Sequence, residues 1–197
     1  MINYERRRKI IIAAIAVVAV IFVFFIYALI KNTVSDNNKP QVPDVSRTAL
    51  LSTDSDNSIV MSARGELINE EDYDSYQITI SPSVRSVIIM KGYNQDILKR
   101  YEYSNNKKAY EQFVYALDKL NITDSRNLSE TENDTRGVCA KGSLKSYSIA
   151  SSGSIIKNVW TSSCRDSKGS LRSNSSDIES LVKNQLPAEA LNALPRL

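Results

Sequence analysis

The chain has 197 residues, with 25 Lys and Arg against 22 Asp and Glu, a net charge of +3, two cysteines and no histidine. The missing imidazole excludes His-based acid–base catalysis, His metal ligation and the Ser-His and Cys-His nucleophiles. Residues 1–31 hold five basic side chains and one acid, so they carry +4 and the rest about −1, which removes any charge argument for nucleic-acid binding.

Residues 1–9 form a basic stub: Arg6, Arg7, Arg8 and Lys9, offset only by Glu5. Ile10 to Ile30 is an unbroken run of 21 Ala, Val, Ile, Leu, Phe and Tyr residues. At about 1.5 Å per helical residue it spans roughly 30 Å, the hydrocarbon thickness of a bilayer. Only a helix satisfies the backbone of such a run in lipid. The expectation is a transmembrane helix over 10–30 that holds the chain in the lipid bilayer. The stronger basic flank stays in the cytoplasm, which leaves residues 31–197 outside. Tyr27 suits the outer headgroup zone. A cleaved signal peptide fits less well: the run exceeds the usual h-region, and Tyr27-Ala28-Leu29-Ile30-Lys31 offers no small-x-small site.

Residues 31–57 read as a flexible linker, with Asn37, Asn38, Pro40, Pro43, Asp54, Asp56 and Asn57. A weak helical turn over 45–51 is its one periodic stretch. As a coil it would span roughly 30 Å r.m.s.. Residues 58–197 are then one extracytoplasmic domain, since the roughly 165 residues beyond the anchor suffice for one core and not two.

Within that domain Ile59 to Ala63 is a short strand, and Gly65 to Asp74 an acidic turn. Tyr76 to Ile80 alternates with period two, Ser81-Pro82-Ser83 turns the chain, and Val87 to Met90 continues as a strand. Ile97 to Tyr103 is a weaker strand, interrupted by Lys99 and Arg100. Ala109, Phe113, Ala116, Leu117 and Leu120 share one helical face, with Ser104 or Asn105 as N-cap and Asn121 as the stop. Ile122 to Asp134 is polar loop. Thr135 to Ala150 and Ser154 to Cys164 read as long strands of a hairpin turning at Ser151-Ser152-Gly153.

If Ala150 faces Gly153, the same register sets Cys139 opposite Cys164. Outside the cytoplasm a lone cysteine pair is a disulfide, and opposed ladder positions lie within its reach. Arg165 to Asn174 is a loop. Ser176-Asp177-Ile178-Glu179 has the capping-box pattern, and Ile178, Leu181, Val182 and Leu186 line a short helix stopped by Pro187. Residues 188–194 add a last turn. The expected fold class is α+β: an antiparallel sheet covered on one face by two helices.

Several constellations bear on a possible site. Trp160-Thr161-Ser162-Ser163-Cys164 slightly resembles a sortase strand but has no His partner. A Ser–Lys dyad needs no His, yet no Ser and Lys here sit in a recognisable motif. The acids from Glu66 to Asp74 lack the spacing of a Ca²⁺ loop. Asp134 and Arg136 read as a turn with a local ion pair. Asn121, Asn127, Asn133 and Asn174 match Asn-x-Ser/Thr, a weak signal in an Asn- and Ser-rich chain. Eight tyrosines lie beyond the anchor, and Tyr73, Tyr93, Tyr101 and Tyr103 are the candidate interaction surface, because Tyr is large, rigid and amphipathic. No metal ligand set and no cofactor motif emerges, so the expectation is not an enzyme.

Asn133-Asp134-Thr135-Arg136-Gly137-Val138-Cys139-Ala140, Trp160 to Cys164, Gln185-Leu186-Pro187 and Ala109 to Asp118 together resemble small single-pass envelope proteins of the Saccharibacteria group of ultrasmall bacteria. The likeness covers roughly residues 59–187. It implies a bacterial cell surface and carries over no catalytic residue. The expected function is a membrane-anchored binding module whose partner is an envelope protein, a wall polymer or a host-surface component. Two alternatives stand: a Ser/Lys envelope hydrolase or transpeptidase, and a structural subunit of a membrane complex.

Overall fold

The structure, a computed structural model, describes residues 45–197. The stub, the anchor over 10–30 and the linker up to residue 44 lie outside the described residues. Among the described residues no helix is long and apolar enough to cross a membrane.

The described chain is α+β. A six-stranded antiparallel sheet is accompanied by four helices. The elements run α1 (Val45–Leu51), β1 (Ser58–Arg64), β2 (Asp74–Ile80), β3 (Val84–Lys91), β4 (Asp96–Ser104), α2 (Lys107–Lys119), β5 (Leu144–Ser151), β6 (Ser154–Ser162), α3 (Ser175–Lys183) and α4 (Ala188–Ala193). The strand order is β4-β3-β2-β1-β5-β6. The sheet is thus a four-strand meander with a hairpin laid against its first strand. Helix α2 and a long loop carry the chain back to make that junction.

Alternation explains the layering. Ile59, Met61 and Ala63 of β1 face the core, as do Tyr76, Ile78 and Ile80 of β2 and Val87 and Ile89 of β3. Leu50 of α1, Phe113, Val114 and Leu117 of α2, Ile178 and Val182 of α3 and Ala190 of α4 join that same cluster. The opposite residues of each strand, such as Ser62, Gln77 and Ile88, stay half-buried on the face away from the helices. A sheet covered on one side has this pattern of apolar-in, polar-out positions.

Four local expectations are corrected. Residues 45–57 are not free linker. Helix α1 buries Leu50 completely, Arg47 grips Asp118 of α2 through two hydrogen bonds of 2.7 and 2.8 Å, and Asn57 is buried. The cap of α2 is Asn106, whose side chain accepts from the Ala109 amide, rather than Ser104 or Asn105. The capping box at Ser176 does not form: Asn174 caps α3, and Glu179 is drawn away to Lys145 and Lys183.

The fourth correction is the hairpin. Thr135 to Ser143 is not strand, and β5 begins only at Leu144. The turn residues are Ser152 and Gly153, both with positive φ, which suits a two-residue hairpin loop. Ser151 therefore faces Ser154, and a bulge then inserts one residue of β6, so Ala150 faces Ile155 and Ile149 faces Lys157. Cys139 and Cys164 are nevertheless bonded, with Cα atoms 5.5 Å apart. The bond lies beyond the ladder. Cys139 sits in a turn with φ of 52°, and Gly142 takes the place beside Cys164 that the extended register would assign. A Cβ on Gly142 would come within 2.8 Å of the Cys139 sulfur and 2.3 Å of Ser163 Oγ.

Candidate functional site

The four singled-out tyrosines form two separate pairs. Tyr73 and Tyr93 stack with centroids 4.7 Å apart and planes 16° apart. Tyr73 is buried, whereas Tyr93 is half exposed and its hydroxyl donates to the Ile68 carbonyl. Tyr101 and Tyr103 lie 6.5 Å apart on β4 and pack against the helix-facing core, opposite Val87 and Arg85 of β3. Burial pushes the Tyr103 phenol up, and Glu189 of α4 beside it adds to the shift. The first pair lies in the segments just outside β2 and β3, the second within β4.

Asp134 and Arg136 do pair. The guanidinium holds both carboxylate oxygens, and the Arg136 amide donates to Asp134 Oδ1 at 3.0 Å. These bonds bring the Asp134 carboxyl down to about 2. Arg136 is 90% exposed, so the pair shapes the loop surface.

The face away from the helices carries another candidate site. One ladder row sets Arg64 of β1 beside Ser75 of β2, with Leu144 of β5 on the other side of Arg64. The next row of that face sets Ser62 between Gln77 and Ser146. At the end of these rows Tyr73, Gln95 and Thr135 wall off a pocket of about 190 Å³. Ser75 is 6% exposed, and its Oγ is buried without a hydrogen-bond partner. Arg64 is half-buried and donates to the carbonyls of Gly65 and Val138. Among the described residues no carboxylate pairs with it. Burial pushes the Tyr73 phenol up, with the Arg64 charge acting the other way, which puts phenol and guanidinium in one neighbourhood.

A second cluster tests the Ser/Lys alternative. Lys145, Ser143, Ser162, Ser175 and Glu179 border one cavity of about 260 Å³. Lys145 Nζ lies 2.5 Å from Glu179 Oε2, and Lys183 Nζ lies 2.7 Å from Oε1 of the same group. Burial pushes the Glu179 carboxyl up, but the two lysines outweigh it and leave it lowered. A lysine base must offer a neutral amine to serine, and here the amine is spent on a carboxylate. Tyr147 instead takes up Ser175, with oxygens 3.0 Å apart.

Trp160 is structural. Its indole donates to Asn133 Oδ1 at 2.8 Å, its amide donates to Ser170 Oγ at 3.1 Å, and Gly169 lies against its carbonyl. Two of the Asn-x-Ser/Thr asparagines use their side chains in the fold, Asn133 on Trp160 and Asn174 as the α3 cap, and both remain exposed. Sequence reading passed over Arg64 and Ser75. Their one available signal was parity: both fall on the polar phase of their strands.

The chain matches no protein-family model and no curated protein.

Proposed function

We propose that this chain is a single-pass membrane protein that displays an α+β binding domain outside the cytoplasm of a bacterial cell. The observation that carries the reading is the 21-residue apolar run behind four consecutive basic residues. Residues 1–9 are the cytoplasmic stub, 10–30 span the bilayer, and the linker ends before the domain at about residue 43. A cysteine pair closed as a disulfide suits an oxidising compartment outside the membrane. The resemblance to Saccharibacteria envelope proteins supports a domain at the cell envelope, facing an envelope protein, a wall polymer or a host-surface component.

The domain works by binding rather than catalysis. Lys145 is committed to Glu179, whereas the Arg64 pocket presents hydrogen-bonding groups that the fold leaves unused. The test is protease added to intact cells that express the full chain with a C-terminal tag. The tag and domain should be digested without lysis. Protection until lysis would reverse the topology and overturn the reading.

A further inference from the structure

Beside Tyr73, Arg64 and Ser75 bring together donor groups that the fold does not fully use. Arginine carries five N–H donors, and the hydrogen bonds to Gly65 and Val138 use two of them. Ser75 lines the pocket, its Oγ has no partner, and a buried hydroxyl without one costs free energy that a ligand can recover. Ser62 and Ser146 add hydroxyls from the neighbouring strands, and no Asp or Glu lines the pocket. The site is therefore rich in donors and carries a single uncompensated positive charge in a half-buried place. At about 190 Å³ it falls below the roughly 300 Å³ where drug-sized pockets begin. It fits a small molecule, or the end of a larger one.

We infer that this pocket binds a carboxylate. A guanidinium fork matches the two oxygens of a carboxylate in charge and geometry, and the serine hydroxyls supply further donors to them. A phosphate dianion would find one cation where it calls for more, and a neutral sugar would leave the charge unanswered. The inference rests on the binding-module reading and names the ligand class of that module. The carboxylate arises either from an acidic sugar or from the free end of a peptide.

The test uses the full chain in detergent micelles at constant ionic strength. Sodium glucuronate, N-acetylalanine, glucose and inorganic phosphate are titrated while NMR follows the Arg64 Nε–H and Ser75 amide signals. One or both carboxylates should shift these signals saturably, and the tighter of the two identifies the source. Arg64→Met should weaken binding about tenfold or more, as the loss of a charged hydrogen bond implies. Ser75→Ala should weaken it severalfold while raising the melting temperature of the ligand-free protein, since the lost hydroxyl had no partner. Arg172→Ala, on a distant loop, should change neither. No saturation by either carboxylate at about 50 mM, where millimolar affinity would be plain, overturns the inference. So does equal or tighter binding of glucose or phosphate, or unchanged affinity in a Ser75→Ala protein that keeps its fold. The titration is blind to topology, so its failure leaves the envelope reading standing, and protease protection would leave the pocket intact.

Discussion

Replacing Cys139 and Cys164 together by Ser should cost the domain several degrees of melting temperature and loosen one loop while sparing the sheet. The two residues are 25 positions apart. In the chain-entropy account, closing a loop of about 25 residues restricts the unfolded state by roughly 3.5 kcal/mol. For a domain of this size each kcal/mol moves the melting temperature by about 2–4 °C, so the fall should be roughly 7–14 °C. Residual hairpin structure in the unfolded chain would bring the value toward the lower end. The position of the bond sharpens the expectation. It ties the turn at Cys139 to the residue two beyond β6, whereas the ladder from Leu144 to Ser162 closes on its own hydrogen bonds. Amides of residues 135–143 should therefore exchange faster in the variant, and those of β5 and β6 should keep their protection. Thermal unfolding followed by circular dichroism, with amide exchange on the same samples, reads both effects. A shift below about 2 °C would refute the entropic argument. Loss of the strand signal would refute the claim that the bond lies outside the ladder.

Gly169→Ala should be severely destabilising. The glycine has φ of 69°, and a Cβ there would lie 2.1 Å from the Trp160 carbonyl oxygen, so the loop must lift and the Trp160 emission should shift to the red. Asp134 should titrate near pH 2 by carbon NMR, and Arg136→Ala should return it toward the ordinary value of about 3.9. Its folded-state pKa is depressed, so whatever the pair contributes is present above the unfolded value and is lost as the pH falls through about 2. Leu50→Ala should cost about 2–5 kcal/mol, because the side chain is fully buried, and a change near zero would mean that α1 is not docked. Amide exchange should show α1 protected in the unmodified chain.

Features that depend on one short stretch were legible in the sequence. The period-two run at Tyr76 to Ile80 and the short apolar run at Val87 to Met90 are strands, because each pattern is set within a few neighbouring residues. The apolar face of Phe113 and Leu117 forms a helix, since their spacing gathers them on one side. The cysteine pairing was legible because the chain holds two cysteines and each has one choice of partner. Its expected route through the ladder was wrong, because the register depends on which residues accept positive φ and on a bulge that composition does not announce.

Contests between distant groups were settled only by the tertiary structure. Glu179 has the spacing of a cap box, but Lys145, 34 positions away, holds it more strongly than a backbone amide would. Val45 to Asn57 has the composition of a linker, yet Leu50 finds a core and Arg47 finds Asp118, 71 positions on. The tyrosines look alike in the chain, yet Tyr73 and Tyr93 stack just outside the strands while Tyr101 and Tyr103 pack from β4 against the core. Arg64 and Ser75 look unremarkable where they stand in the chain. They become a site because the β1–β2 ladder sets them side by side, where a buried hydroxyl has no partner and a half-buried guanidinium has no carboxylate. Hydrophobic pattern is a local property that one sequence displays, whereas the satisfaction of polar groups depends on which partners the folded chain brings within about 3 Å.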